Sequence, residues 1–428
     1  MDKKFLTSFL VYGGTTGFAR ILPITMLPIY LSSLGSTDYG VVEVVFAIFN
    51  CLLIFGLLQL ETSLQRLYYK VDNQADLFST IILITFLASI LIVVIAYFLS
   101  GIISDVFFNT VKESGTVELA ALCVVFANIA TICMIVLRYM DKAILFTFLS
   151  LGQAFLTAIF SYYFIVKLNM GPTGYFGGLL SGWVFLAFTS FLIVFKKLGL
   201  NFRLEYIGQA LSFSMPQFPA RLASFFVQYA NRFFVLSILG VQAVALMSLS
   251  LKFSALFQLL MLAFSMAWNP FLYKNESNID LNHQVNKIFK CLLIVLIFIH
   301  SIMLFFSDYI ITNFFSDEFS EAGKYVVLAI IPFQLLVIKE VVESGVKLAN
   351  KTKYISISYF ISAIFSGFLM LFSSSIMEIL LSSVFGNLLL VLLLWYFSIK
   401  NYHLTYSRVW FFGYFLFVLL SVLISTRG

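Results

Sequence analysis

Charge is scarce in this sequence. Asp, Glu, Lys and Arg together make up 11% of 428 residues, against roughly 25% in a soluble domain. So few charges cannot cover a water-exposed surface, which excludes a soluble globular enzyme, a disordered chain, a coiled coil and a nucleic-acid module. Cysteine is sparse too. Cys51, Cys123, Cys133 and Cys291 each lie alone inside an apolar run, without the paired spacing of a disulfide framework or a zinc site. His283, His300 and His403 are scattered and outline no metal constellation, so neither a metal nor any other cofactor is expected. There is no Gly-x-x-x-x-Gly-Lys phosphate loop and no Ser/His/Asp arrangement. The longest polar connections, around residues 101–115, 274–286 and 308–323, are too short for a soluble catalytic domain. The chain is therefore expected to be no enzyme and to hydrolyse no nucleotide.

What is present is apolar. Hydrophobic residues make up 61% of the chain, and 51 residues are Phe. Apolar stretches of about 20 residues, the length with which a helix crosses a bilayer core, recur from end to end. They place spans at residues 5–34, 39–60, 77–99, 118–137, 143–166, 175–195, 207–239, 241–270, 287–306, 324–346, 354–372 and 376–397. A shorter thirteenth run covers 409–424. The first stretch is too long for the apolar core of a signal peptide and lacks a small-residue cleavage site, so it is expected to stay as a span. The reading is an all-α polytopic membrane protein.

Lys and Arg fix the expected orientation. Seventeen of them, from Lys3 and Lys4 through Arg66, Lys70, Arg138 and Lys142 to Lys400 and Arg408, fall in one set of alternate loops. The other set holds only Lys112, Lys167, Lys324 and Arg427. Basic loops stay cytoplasmic, which places the N-terminus in the cytoplasm.

One segment recurs. Ala19-Arg20 leads to Leu34-Gly35 and a new span, and Ala220-Arg221 leads to Leu239-Gly240 and a new span. Pro23 and Pro28 accompany the first copy, Pro216 and Pro219 the second, and these prolines are the expected helix bends. The copies lie six spans apart, so both point the same way. That implies a 6+6 parallel repeat, with bundles at 1–200 and 201–400 and an extra C-terminal helix in 401–428.

These residues also carry a family resemblance. The stretch Leu31 to Tyr39-Gly40, the segment Gly56 through Glu61 and Arg66, and the segment Ser214-Met215-Pro216 through Asn231-Arg232 to Leu239-Gly240 resemble Wzx-type polysaccharide repeat-unit flippases. So does the basic segment Lys347 to Lys353. The resemblance implies the MATE-like fold of the multidrug/oligosaccharidyl-lipid/polysaccharide exporter superfamily, two six-helix bundles around a central cavity. It further implies a substrate, undecaprenyl-pyrophosphate-linked oligosaccharide repeat units, flipped from the cytoplasmic to the outer face of the bacterial inner membrane for O-antigen or capsule synthesis. The lipid bilayer is a partner, polysaccharide polymerase machinery is a candidate partner, and nucleic acid is not.

Ionisable residues inside spans are costly and by default functional. Arg20, Arg221, Arg232, Lys252 and Lys339 form a ladder of positive charge suited to an anionic group, and Arg suits phosphate because its planar fork binds two oxygens at once. Structural readings stand beside this one: Arg20 paired with Glu43, Lys339 neutralised by Glu343, Arg232 snorkelling to the outer interface, and Lys252 paired with a nearby acid. Arg221 has no acid in its own or the following span. Glu43, Glu340 and Glu343 are the candidates for ion coupling. The rival functions are a drug/cation antiporter of the same fold, a lipid II flippase, and a membrane-embedded glycosyl- or acyltransferase using Asp105, Glu113, Asp317 and Glu318.

Overall fold

A computed structural model describes residues 3–203, 205–275, 280–349, 351, 353–402 and 404–425; the side chains of 3–21, 263, 266, 267, 269, 270 and 425 lie outside that description. Every regular element among the described residues is helical. In chain order the α-helices are α1 (Lys3–Leu57), α2 (Leu60–Leu67), α3 (Gln74–Phe108), α4 (Ser114–Tyr139), α5 (Ala143–Tyr162), α6 (Gly171–Leu198), α7 (Glu205–Ser214) and α8 (Phe218–Leu239). They continue with α9 (Val241–Lys252), α10 (Ala255–Lys274), α11 (Leu281–Phe314), α12 (Gly323–Val342), α13 (Ser344–Leu348), α14 (Lys353–Leu371), α15 (Ile376–Tyr402) and α16 (Arg408–Ser425).

The two spans expected at 5–34 and 39–60 have no loop between them. They run as α1 and part only at Gly35, whose φ of 70° and ψ of 176° are the sole non-helical torsions in that helix. Such torsions are open to glycine and strained for other residues. Gly240, with φ 85° and ψ 180°, makes the same turn between α8 and α9. The Leu-Gly pairs of the sequence repeat thus mark one backbone conformation at corresponding junctions.

Ten helices among the described residues are long and apolar enough to cross a membrane. Val241–Lys252 with Ala255–Leu262, bent by 43°, makes an eleventh. The spans expected at 5–34 and 39–60 both lie in α1, which turns at Gly35. The chain is a multi-pass membrane protein. Its outward side chains agree: Leu91, Phe98, Phe148, Phe298 and Phe412 are all more than half exposed, which suits a surface whose solvent is hydrocarbon.

The chain divides into two compact units, Met1–Phe225 and Phe226–Gly428. In the first, α4 is the central helix, flanked by α3, α6 and α1, and its Ala120, Ala121, Val124, Ala127 and Ala130 are buried. Asn73 caps α3 by accepting from the Ala75 amide. In the second unit α12 is central, against α15, α11, α10 and α9. The thirteenth apolar run forms α16, fastened to that core by a buried polar network. The Gln334 amide donates to His300 Nδ1 (2.9 Å), which leaves His300 Nε2 to donate to Ser421 Oγ (2.7 Å), while Tyr414 donates to Gln334 Oε1. Burying these groups is tolerable because each finds a partner.

Candidate functional site

Prolines set where the seventh span breaks. Met215-Pro216-Gln217 form a single 3-10 turn between α7 and α8, and Pro219 occupies the first turn of α8. Pro23 and Pro28 lie within α1, where helical torsions continue through both. The non-helical torsions of α1 are at Gly35, where the first span meets the second, and not at either proline.

Arg221 stands in the first turn of α8 and is exposed. Its electrostatic partner is Glu61 at the start of α2, an acid outside its own and the following span. Two contacts join α2 to α7, and one joins α1 to α8. Ser63 donates to the Ala210 carbonyl of α7 (2.7 Å), the Arg66 guanidinium sits 4.6 Å over the Phe213 ring, and Phe55 meets Phe218 edge-on at 5.4 Å. Burial pushes the Glu61 carboxyl above its ordinary range, and Arg221 offsets that only in part. One Glu61 oxygen, Oε2, is buried with no hydrogen-bond partner. Sequence reasoning missed Glu61 as a site residue; the signal was a lone acid in Gln59-Leu60-Glu61, just where an apolar run ends.

Glu43 is 2% exposed on the second half of α1 and accepts from the Tyr39 hydroxyl (3.0 Å). Arg20, its expected neighbour, has a side chain outside the described residues.

In the second unit Arg232 is 7% exposed. Its guanidinium lies 5.2 Å from the Tyr229 ring centroid, so the residue is packed inside rather than extended to an interface. Lys252 is half-buried in the last turn of α9, at the bend before α10.

Lys339, Glu340, Glu343 and Lys347 form one cluster. Lys339 Nζ lies 2.9 Å from Glu340 Oε1 and 3.0 Å from Glu343 Oε2. Lys347 Nζ lies 2.6 Å from Glu343 Oε1 and 3.6 Å from Glu340 Oε2. Two cations and two carboxylates, all largely buried, make a neutral set. Lys339 therefore adds no net positive charge to a cationic ladder, and Glu340 and Glu343 are engaged as ion-pair partners. The turn from α12 into α13 holds this arrangement: Trp268 Nε1 donates to Ser344 Oγ (2.9 Å), and the Gly345 amide donates to Ser398 Oγ (2.9 Å). Among the described residues no three His, Cys, Asp or Glu side chains gather as a metal site.

Solved structures share the fold. A lipid II flippase, MurJ, in an inward closed conformation matches with a TM-score of 0.75 at 17% identity, covering 97% of this chain and 98% of that one. An inward-facing multidrug resistance MATE family transporter of the MOP superfamily matches at 0.70 and 13% identity, covering 89% and 94%. A mutant MATE transporter of Vibrio cholerae matches at 0.63 and 13% identity, covering 96% and 98%. No curated protein sequence matches significantly. Residues 34–272, more than half of the chain, match the family described as polysaccharide biosynthesis protein, and they take in both Leu-Gly junctions, Glu61 and Arg221; the chain belongs to that family.

Proposed function

We propose that this protein flips undecaprenyl-pyrophosphate-linked oligosaccharide repeat units from the cytoplasmic to the outer face of a bacterial inner membrane, for O-antigen or capsule synthesis. The observation that carries the reading is the match of residues 34–272 to polysaccharide biosynthesis proteins on a fold shared with a flippase and with transporters. Polysaccharide assembly needs a sugar head and a diphosphate moved through hydrocarbon while the polyprenyl tail stays in lipid. A polar path opened alternately to each face meets that need. Arg221 and Arg20 are the proposed diphosphate ligands, with Arg232 and Lys252 as further cations along the path. The N-terminus is cytoplasmic by the distribution of Lys and Arg. Glu43 is the strongest of the three proposed coupling acids, since Glu340 and Glu343 already neutralise lysines.

The test is translocation by purified protein in sealed vesicles carrying defined lipid-linked oligosaccharides, without ATP. Transfer to the opposite leaflet supports the reading. Transfer of lipid II but not of the oligosaccharide lipid would assign a different cargo.

A further inference from the structure

A groove of about 490 Å³ runs over α4 between α3 and α6. Ile82 and Phe86 of α3, Phe126 and Ile129 of α4, and Phe188 and Phe191 of α6 line it. Its one polar lining side chain, Ser79, is already committed: the hydroxyl donates to the Ala75 carbonyl (2.7 Å) and accepts from the Asn201 amide (2.9 Å). The lining side chains therefore leave a sugar no free hydrogen-bonding group, and a chain of methylenes would fill it without cost. Leu83 and Val184 on its rim are exposed, and all three helices are membrane spans, so the groove opens to lipid.

The Ser79 end differs in charge from the rest. The connection after α6 closes it with Leu200 and Phe202. That connection is latched to α3, since Thr80 donates to the Arg203 carbonyl (3.1 Å) and Arg203 Nε pairs with Asp76 Oδ2 (2.8 Å). Lys196 and Lys197, in the last turn of α6 just before this connection in the chain, are exposed. The Arg203 side chain stays 60% exposed despite its ion pair. The apolar slot thus ends at a chain segment that carries Lys196, Lys197 and Arg203, the last paired with Asp76.

We propose that this groove is a binding site for an anionic phospholipid of the surrounding bilayer, one hydrocarbon chain in the slot and the headgroup phosphate against Lys196, Lys197 and Arg203. Lipid tails are as apolar as the groove, so the chain alone brings no preference. Discrimination comes from the headgroup, where basic residues near the membrane surface attract anionic lipid. The site shares no residue with Arg20, Arg221 or Glu61, and it does not depend on the proposed cargo.

The test uses the full chain, purified in detergent, stripped of lipid and offered phosphatidylglycerol or phosphatidylcholine of identical chains, with retained lipid counted by native mass spectrometry. Phosphatidylglycerol should be retained about tenfold over phosphatidylcholine. Lys196→Gln/Lys197→Gln, at exposed positions, should bring phosphatidylglycerol down toward the phosphatidylcholine level. Val184→Trp or, from the opposite wall, Leu83→Trp should reduce retention of both lipids. Equal retention of the two lipids by the unaltered protein, or an undiminished preference in the lysine variant, would overturn the headgroup assignment. Unchanged retention in both folded tryptophan variants would overturn the groove.

Discussion

Arg221 and Glu61 oppose each other at the level of single residues. A diphosphate that binds Arg221 must compete with the Glu61 carboxylate, and it competes well because a planar guanidinium accommodates two phosphate oxygens. Charge-assisted contacts of this kind contribute roughly 1.5–3 kcal/mol, or about 10–150-fold in affinity. Arg221→Ala should therefore cut surface polysaccharide per unit of inserted protein by an order of magnitude or more. Arg221→Lys should recover only part, since it restores the charge without the fork. An Arg20→Ala/Arg221→Ala variant that inserts normally and keeps full output would remove both residues from the substrate path. Glu61 makes a second prediction. Its carboxyl is raised by burial above the ordinary 4.5, so the folded state holds the proton more tightly than the unfolded chain does. That contribution is complete below 4.5 and is lost as pH rises through the higher folded value. Thermal unfolding in detergent should show stability falling across that window, and Glu61→Gln should flatten this part of the profile. An identical pH profile for the variant would refute the assignment.

Within single elements, the ion cluster of α12 and α13 sets the clearest energetic expectation. Lys339 and Glu343 stand one helical turn apart, so their pairing is legible in the sequence. Lys347 stands at the same spacing on the other side of Glu343, but it falls past the end of the apolar run and so reads as part of the basic loop. Removing one member leaves a buried charge uncompensated, at about 3–5 kcal/mol. Glu343→Gln should thus lower stability by that order, whereas Lys339→Met/Glu343→Met, which removes one charge of each sign, should lose much less. Thermal unfolding of the two variants decides this; equal losses would mean that the cluster's charge balance is irrelevant. The same distinction between local and distant pattern explains other elements. Apolar runs announce the spans, because the faces turned to lipid and those packed on other helices are both apolar. Ser36-Thr37-Asp38 reads as a loop, yet the backbone needs only Gly35 to turn. Glu61 against Arg221 depends on α2 lying on α7, and the His300 network draws on α11, α12 and α16. No periodicity within one element encodes such meetings.

At the scale of the whole molecule, loop charge sets the expected orientation and family membership underlies the proposed cargo. With seventeen Lys and Arg in one set of loops and four in the other, the segment from Lys347 to Lys353 should be cytoplasmic. Single cysteines introduced there on a cysteine-free background should resist impermeant reagents in intact cells and react after permeabilisation; labelling from outside would invert the topology. Cargo is the central claim, and leaflet transfer measures it directly. Sealed proteoliposomes containing undecaprenyl-pyrophosphate-linked oligosaccharide, without nucleotide, should show the sugar becoming accessible to an external lectin or glycosidase at a rate that depends on the protein and falls in Arg221→Ala. A rate equal to that of protein-free vesicles, with folded and inserted protein across the repeat units offered, would contradict the account.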